Sequence, residues 1–178
     1  MASIASNPLF PQEPSERHTL SILVDNEAGV LGRIVGLFSA RGYNIESLTV
    51  ADVSDDHGVS RITVVTSGPR AVIDQITAQL DRLVPVHRVV DLTERGPFVE
   101  RELALVKVAG VGEKRVEALR IADIFRARPV DTSTQSFIFE VSGASTKVDQ
   151  FIELMREVGL VEVARGGVVA LARGGEAV

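Results

Sequence analysis

Two polar interruptions hold the residue types best suited to chemistry. Asp25-Asn26-Glu27-Ala28-Gly29 stands where a strand-like apolar run gives way to a helical one, and Arg41-Gly42-Tyr43-Asn44 where that helical run ends. A helix start presents N–H groups without intrahelical partners and a partial positive charge, a combination that binds anions. Phosphate is a poor match, because Asp25 and Glu27 are acidic and the loop holds no Lys or Arg. A carboxylate that carries its own ammonium group fits better. Its carboxylate would meet the N–H groups around Gly29, Val30 and Leu31. Its ammonium would meet the side-chain carbonyl of Asn26, since an amide serves a zwitterion without adding net charge. Val30 and Leu31 favour a small apolar ligand side chain. From spacing alone the plainer reading is favoured, a βα loop with Asn26 or Glu27 near the cap and Gly29 supplying backbone freedom.

Asn44 opens the next strand, which in the topology below lies at a sheet edge. An edge needs a cover or a partner, and pairing with the same strand of a second copy would supply one with two-fold symmetry. Asn44 and Ile45 of one subunit would then approach the loop and helix start of its mate. Spacing alone also allows a plain strand-entry asparagine.

Other chemistry finds less support. The chain of 178 residues has no cysteine, which excludes disulfides, thiolate metal sites and a cysteine nucleophile. His18, His57 and His87 show no metal-ligand spacing and read as exposed or satisfied polar groups. Asp55-Asp56, beside Gly58, reads as a solvated turn rather than an acid pair. Aromatic residues are 4% of the chain and the net charge is 19 − 24 = −5. Neither favours base stacking or a phosphate-backbone footprint, so no nucleic-acid partner is expected. No apolar run reaches the length of a membrane span, and the first residues lack the pattern of a secretory signal. The chain is read as cytoplasmic, with no membrane partner.

The elements that would position these residues follow from periodicity. Residues 18–24 alternate as a strand, and Leu31, Ile34, Val35 and Phe38 mark a helical face closed by Arg41 and Gly42. Strands follow at 44–53 and 59–66, joined by the turn Asp55-Asp56-His57-Gly58. Ile73, Ile76, Leu80 and Leu83 mark a second helix before Pro85, and residues 86–92 a fourth strand. The order βαββαβ is the ferredoxin-like unit, with both helices on one face of an antiparallel sheet. It recurs downstream. Strands are expected at 103–108, 129–133, 137–141 and 160–164, with an added strand at 168–171. Helical faces fall at Ala118, Ile121, Ala122 and Phe125, and at Val148, Phe151, Ile152 and Met155. The fold class is thus α+β, two consecutive ferredoxin-like βαββαβ units. The expected division is an N-terminal arm at 1–16, a first domain at 17–93, a polar linker at 94–98, a second domain at 99–174 and a frayed tail at 175–178.

A resemblance sharpens this reading. Asp-Asn-Glu-Ala-Gly-Val-Leu-Gly-Arg-Ile at 25–34 resembles the loop-and-helix signature of ACT domains, amino-acid-sensing modules of this fold. Leu37-Phe38-Ser39-Ala40-Arg41-Gly42-Tyr43-Asn44-Ile45-Glu46-Ser47-Leu48-Thr49-Val50 resembles, more narrowly, the small regulatory subunit of acetolactate synthase (acetohydroxyacid synthase). Ser60-Arg61-Ile62-Thr63, Val99-Glu100-Arg101-Glu102-Leu103-Ala104-Leu105-Val106-Lys107, Ile124-Phe125-Arg126-Ala127 and the glycine-containing run at 161–174 continue the likeness, which spans residues 17–174.

The resemblance implies a first domain that is an ACT domain and a chain that is not itself an enzyme. It implies a homodimer that binds the large catalytic subunit, activates it and confers feedback inhibition by valine or another branched-chain amino acid. Thiamine diphosphate, magnesium and FAD belong to the catalytic subunit, and this chain carries no cofactor of its own. Carried onto this sequence, the effector contacts are Asn26, Gly29, Val30 and Leu31 of one subunit with Asn44 and Ile45 of its mate. Gly32 departs from the family pattern in the first helical turn, where glycine loosens a helix by about 1 kcal/mol relative to alanine. Arg126, Arg128 and the strand at 161–165 are candidates for the catalytic-subunit surface, with a solvated face as the plainer reading. A free-standing ACT amino-acid sensor is the alternative function. An acylphosphatase-like enzyme would share the fold order but want a basic first loop.

Overall fold

The computed structural model describes residues 14–55 and 57–177. The arm expected at 1–16 therefore lies mostly outside the described residues, as do Asp56 of the turn and Val178 of the tail. The chain runs β1 (Glu16–Asp25), α1 (Val30–Ala40), β2 (Ser47–Asp52), β3 (Val59–Gly68), α2 (Arg70–Leu80), β4 (Val86–Asp91) and α3 (Leu92–Arg95). It continues through β5 (Phe98–Ala109), α4 (Glu113–Ile124), β6 (Arg128–Thr132), β7 (Ser136–Gly143), α5 (Ser145–Val158) and β8 (Leu160–Ala172). The strands form two antiparallel sheets, ordered β2-β3-β1-β4 and β6-β7-β5-β8. This is the expected α+β double ferredoxin-like architecture.

Each half has its own core. In the first, alternate residues Leu20, Ile22 and Val24 of β1 and Ile62 and Val64 of β3 face Val30, Ile34 and Phe38 of α1 and Ile73, Ile76 and Leu80 of α2. In the second, Ala104, Val106 and Val108 face Ala118, Ile121 and Ala122 of α4 and Val148, Phe151, Ile152 and Met155 of α5. Period-2 strands meeting helical stripes account for both clusters. α1 ends as expected at Gly42, whose φ is 69°. The N–H of Tyr43 bonds the Phe38 carbonyl and that of Gly42 the Ser39 carbonyl, the paired closure of a Schellman motif.

Several local expectations change. The core face of α1 begins with Val30, not Leu31, which is 40% exposed. β2 starts at Ser47, because Asn44 to Glu46 still cross from the helix end to the sheet. The polar segment after β4 turns once as α3, capped by the Asp91 carboxylate, which accepts from the N–H groups of Thr93 and Glu94. The two strands expected at 160–164 and 168–171 are one strand, β8, with a register shift opposite Glu102 to Ala104. Its glycines Gly166 and Gly167 bend the strand rather than end it. The tail is tied back, Glu176 to Arg95 and the Ala177 carbonyl to Arg88.

The face of the first sheet turned away from α1 and α2 is also covered. Thr19, Ser21, Thr63 and Val65 on that face are buried. They lie under β8 and the start of β5, where Thr19 hydroxyl donates to Glu100 and Thr49 hydroxyl to the Val168 carbonyl. A small apolar cluster of Leu92 and Ala170, with Val90, Phe98 and Ala172 against it, seals the junction.

Candidate functional site

The loop between β1 and α1 is held from below by the β2–β3 turn. The Asn26 main-chain N–H bonds the Gly58 carbonyl, and its side-chain Nδ2 donates to the His57 carbonyl at 2.9 Å. Among the described residues nothing donates to Asn26 Oδ1, the atom an ammonium needs. Sequence reasoning treated residues 55–58 as a turn and missed this support; only the pairing of β1 with β3 brings the turn under the loop.

Gly29, not Asn26 or Glu27, is the N-cap of α1. Its φ of 91° and ψ of −8° are left-handed, and no side chain caps the helix. A side chain at this φ is strained, which explains the glycine. A Cβ there would meet nothing within 4 Å, so the space above the helix start is open. The Val30 N–H makes a long bond of 3.4 Å to the Glu27 carbonyl, and the Arg33 N–H bonds Gly29. Between them, the N–H groups of Leu31 and Gly32 have no partner among the described residues. Gly32 faces open space as well. Its bare backbone adds a donor that the spacing argument did not count.

The side chains divide by role. Val30 is 3% exposed and belongs to the core, so it offers the site backbone only. Leu31 is exposed beside the free N–H groups and is the apolar neighbour of the site. An exposed ion pair, Glu27 with Arg33 at 3.3 Å, flanks the loop. Asn44 is exposed, its carbonyl accepting from the Thr66 hydroxyl at 2.6 Å, while Ile45 packs partly into the core.

Within one chain these two groups do not meet. They flank α1, whose 11 residues span about 16 Å. The sheet gives the same answer. Asn26 sits beside Asp25, which pairs with Val59, whereas Asn44 bonds Thr66, which pairs with His18. Seven positions along β1 separate them by about 23 Å. β2 is hydrogen-bonded on one side only, at the edge of its sheet. If the outer edge of β2 paired antiparallel with its copy, the Asn44 end of one chain would lie level with the Asn26 end of the other.

The histidines each pair with an aspartate: His18 with Asp91 at 2.6 Å, His87 with Asp25 at 2.7 Å, and His57 with Asp52. His18 is buried and the other two exposed. The hydrogen bond from His57, reinforced by the Ser54 N–H, holds the Asp52 carboxyl below the usual aspartate range. None of the three imidazoles bonds a hydroxyl nucleophile among the described residues. Nor is any group of three His, Asp or Glu placed there to hold a metal ion.

Comparison with known proteins decides the family. Residues 20–88 match the AHAS small subunit-like ACT domain, and residues 101–174 match the family described as the small subunit of acetolactate synthase. The chain is 48% identical over 158 residues to a probable acetolactate synthase small subunit of Archaeoglobus fulgidus, covering 89% of this chain and 98% of that one. It belongs to the acetolactate synthase small-subunit family. The isozyme 3 small subunit of Escherichia coli K12 is 48% identical over 159 residues, covering 89% of this chain and 96% of that protein. The crystal structure of the acetolactate synthase small subunit from Thermotoga maritima superposes with a TM-score of 0.79 at 38% identity, covering 90% of this chain and 99% of that one. The first half is thus an ACT domain, and membership of this small-subunit family supports a regulatory role beside a catalytic large subunit. No helix among the described residues is long and apolar enough to cross a membrane.

Proposed function

We propose that this small subunit activates the catalytic subunit of an acetolactate synthase and confers feedback inhibition by valine or another branched-chain amino acid. Two chains pair through their ACT domains, and the effector lies between them. Its carboxylate is held by the N–H groups of Leu31 and Gly32 at the Gly29 cap, its ammonium by Asn26 Oδ1. Its aliphatic side chain lies against Leu31, and Asn44 and Ile45 of the mate close the site. Thiamine diphosphate, magnesium and FAD are carried by the catalytic subunit, and the complex works in the cytoplasm.

The observation that carries this reading is the helix start at Gly29. Among the described residues, the Leu31 and Gly32 N–H groups and the Asn26 amide oxygen have no partner; they lie on the loop and first turn, with open space above Gly29 and Gly32 and the exposed Leu31 side chain beside them. A zwitterion with a small apolar side chain matches all of these, and a phosphate does not, because Asp25 and Glu27 flank the site. The edge position of β2 supports the mate's contribution.

Calorimetry of the purified protein with valine, leucine and isoleucine tests the site, and reconstitution with the catalytic subunit tests the regulation. Saturable binding near one site per chain, with activation and amino-acid-dependent inhibition of acetolactate formation, is the expected result. Binding without any effect on a catalytic subunit would instead make the chain a free-standing sensor.

A further inference from the structure

The two halves are joined at one residue by a pair of hydrogen bonds. The Val168 N–H donates to Ser47 Oγ at 2.8 Å, and the Val168 carbonyl accepts from Thr49 Oγ1 at 2.8 Å. Ser47 and Thr49 alternate along β2, so both hydroxyls stand on the face opposite the helices. One grips the donor and the other the acceptor of a single peptide segment in β8. Bonds of opposite sense on either side of one residue resist sliding and tilting alike, because hydrogen bonds weaken steeply when misaligned.

Gly167 makes the approach possible. Its φ is 79°, and a Cβ would lie 2.8 Å from Thr49 Cγ2, 3.0 Å from Ser47 Oγ and 3.4 Å from the Leu48 carbonyl. Any side chain there would push β8 off β2 as well as strain the backbone. Two residues earlier, Arg165 is anchored to Glu102 of β5 at 2.5 and 2.7 Å and to Asp149 of α5 at 2.7 Å. β8 therefore connects the contact with β2 to the interior of the second half. A cleft of about 630 Å³, lined by Arg17, Glu46, Ser47, Arg165 and Gly167 among others, opens beside this contact and leaves β8 room to shift.

β2 begins three residues after Asn44, and Asn44 is where the mate's effector is proposed to lie. We infer that Ser47, Thr49 and Gly167 form the mechanical coupling that carries effector occupancy from the Asn44 end of β2 into β8 and the second domain, an inference that rests on the effector reading above. Ser47 and Thr49 are positioning residues. They face away from the helix start that holds the ligand, so they transmit the signal without touching the effector.

The test uses Thr49→Val and Ser47→Ala, singly and together, and Gly167→Ala, with Thr49→Ser as the conservative control. Three readouts are compared with the parent protein: calorimetric affinity for valine, leucine and isoleucine, deuterium uptake across residues 160–172 with and without the amino acid, and the inhibition midpoint of the reconstituted holoenzyme. Expected are an affinity within about twofold of the parent, loss of the amino-acid-dependent change in β8 uptake, and an inhibition midpoint raised about tenfold, the scale of ordinary allosteric couplings. Thr49→Ser should behave as the parent. Should Gly167→Ala not fold, the Ser47 and Thr49 variants decide the question. A double variant with parental inhibition and parental β8 response overturns the coupling alone, as does an affinity that falls in step with the response. A parent that binds none of the three amino acids, with or without the catalytic subunit, overturns the effector reading and the coupling with it, before any variant is made.

Discussion

Gly29 combines a left-handed backbone with open space where a side chain would stand. The two facts predict different things for Gly29→Asp. The backbone strain costs about 1 kcal/mol, since aspartate tolerates this region better than most residues. The carboxylate lands where the effector's own carboxylate is proposed to dock. Thermal melting should therefore show a folded protein with a modestly lower Tm, while calorimetry should show branched-chain amino acid affinity reduced more than tenfold, the cost of about 1.4 kcal/mol or more. A variant that binds as tightly as the parent would place the effector elsewhere. Asp52 offers a pH-dependent test in the turn region beneath the loop. Its carboxyl is held below its ordinary value of 3.8 by His57 and the Ser54 N–H. A depressed carboxylate stabilises the fold above its ordinary value, and that contribution is lost as pH falls through the depressed one. In urea unfolding, the parent should exceed Asp52→Asn in midpoint at neutral pH, and the gap should close as pH drops below 3.8.

At the scale of elements, β8 is tied at two points only three residues apart along its length. Ser47 and Thr49 hold Val168, and Glu102 holds Arg165. Glu102 is 4% exposed, with both carboxylate oxygens on the Arg165 guanidinium. Those bonds to Glu102, ahead of the bond to Asp149, raise the affinity of Arg165 for its proton, so the ion pair persists at any accessible alkaline pH. Arg165→Ala would leave a buried carboxylate unpaired and should cost about 3 kcal/mol, the low end for breaking such a pair because the arginine is partly in water. Adding Glu102→Gln to it should restore part of that loss. Denaturant unfolding of the single and double variants gives the coupling directly. α3 shows the other way an element forms here: four residues cannot hold a helix by propensity, and Asp91 supplies the cap and a partner for the buried His18.

At the scale of the whole molecule, the residues proposed to hold the effector form two groups about 23 Å apart in one chain, and pairing of two copies would join them. β2 leaves one edge unpaired, and Val50 on that strand is 45% exposed. Val50→Glu places like charges opposite one another if two β2 edges pair. Analytical ultracentrifugation should show the parent as a dimer and the variant shifted toward monomer by at least about tenfold in dissociation constant, the effect of roughly 1.4 kcal/mol. Effector affinity should fall with it, because each proposed site takes Asn44 from the mate. A variant that stays dimeric with intact binding would move the interface off this edge.

The sequence by itself determined the elements and their order, because alternation and helical periodicity are local properties of the chain. It also marked the polar residues at either end of α1, since Asn26, Gly29 and Asn44 interrupt apolar patterns that need no such residues. Its errors were local in scale too. One step in the helical period decided that Val30 is buried and Leu31 exposed, and only packing against β1 and β3 settles a step that small. Tertiary structure alone decided the rest. Asn26 is supported by a turn 31 residues away, Ser47 and Thr49 meet a β8 peptide about 120 residues on, and the open face of the first sheet is covered by the second half. Serine, threonine and glycine carry no periodic signal of their own. What they bind depends on which strands the fold brings together, and that is fixed by the cores of both halves rather than by any short stretch of chain.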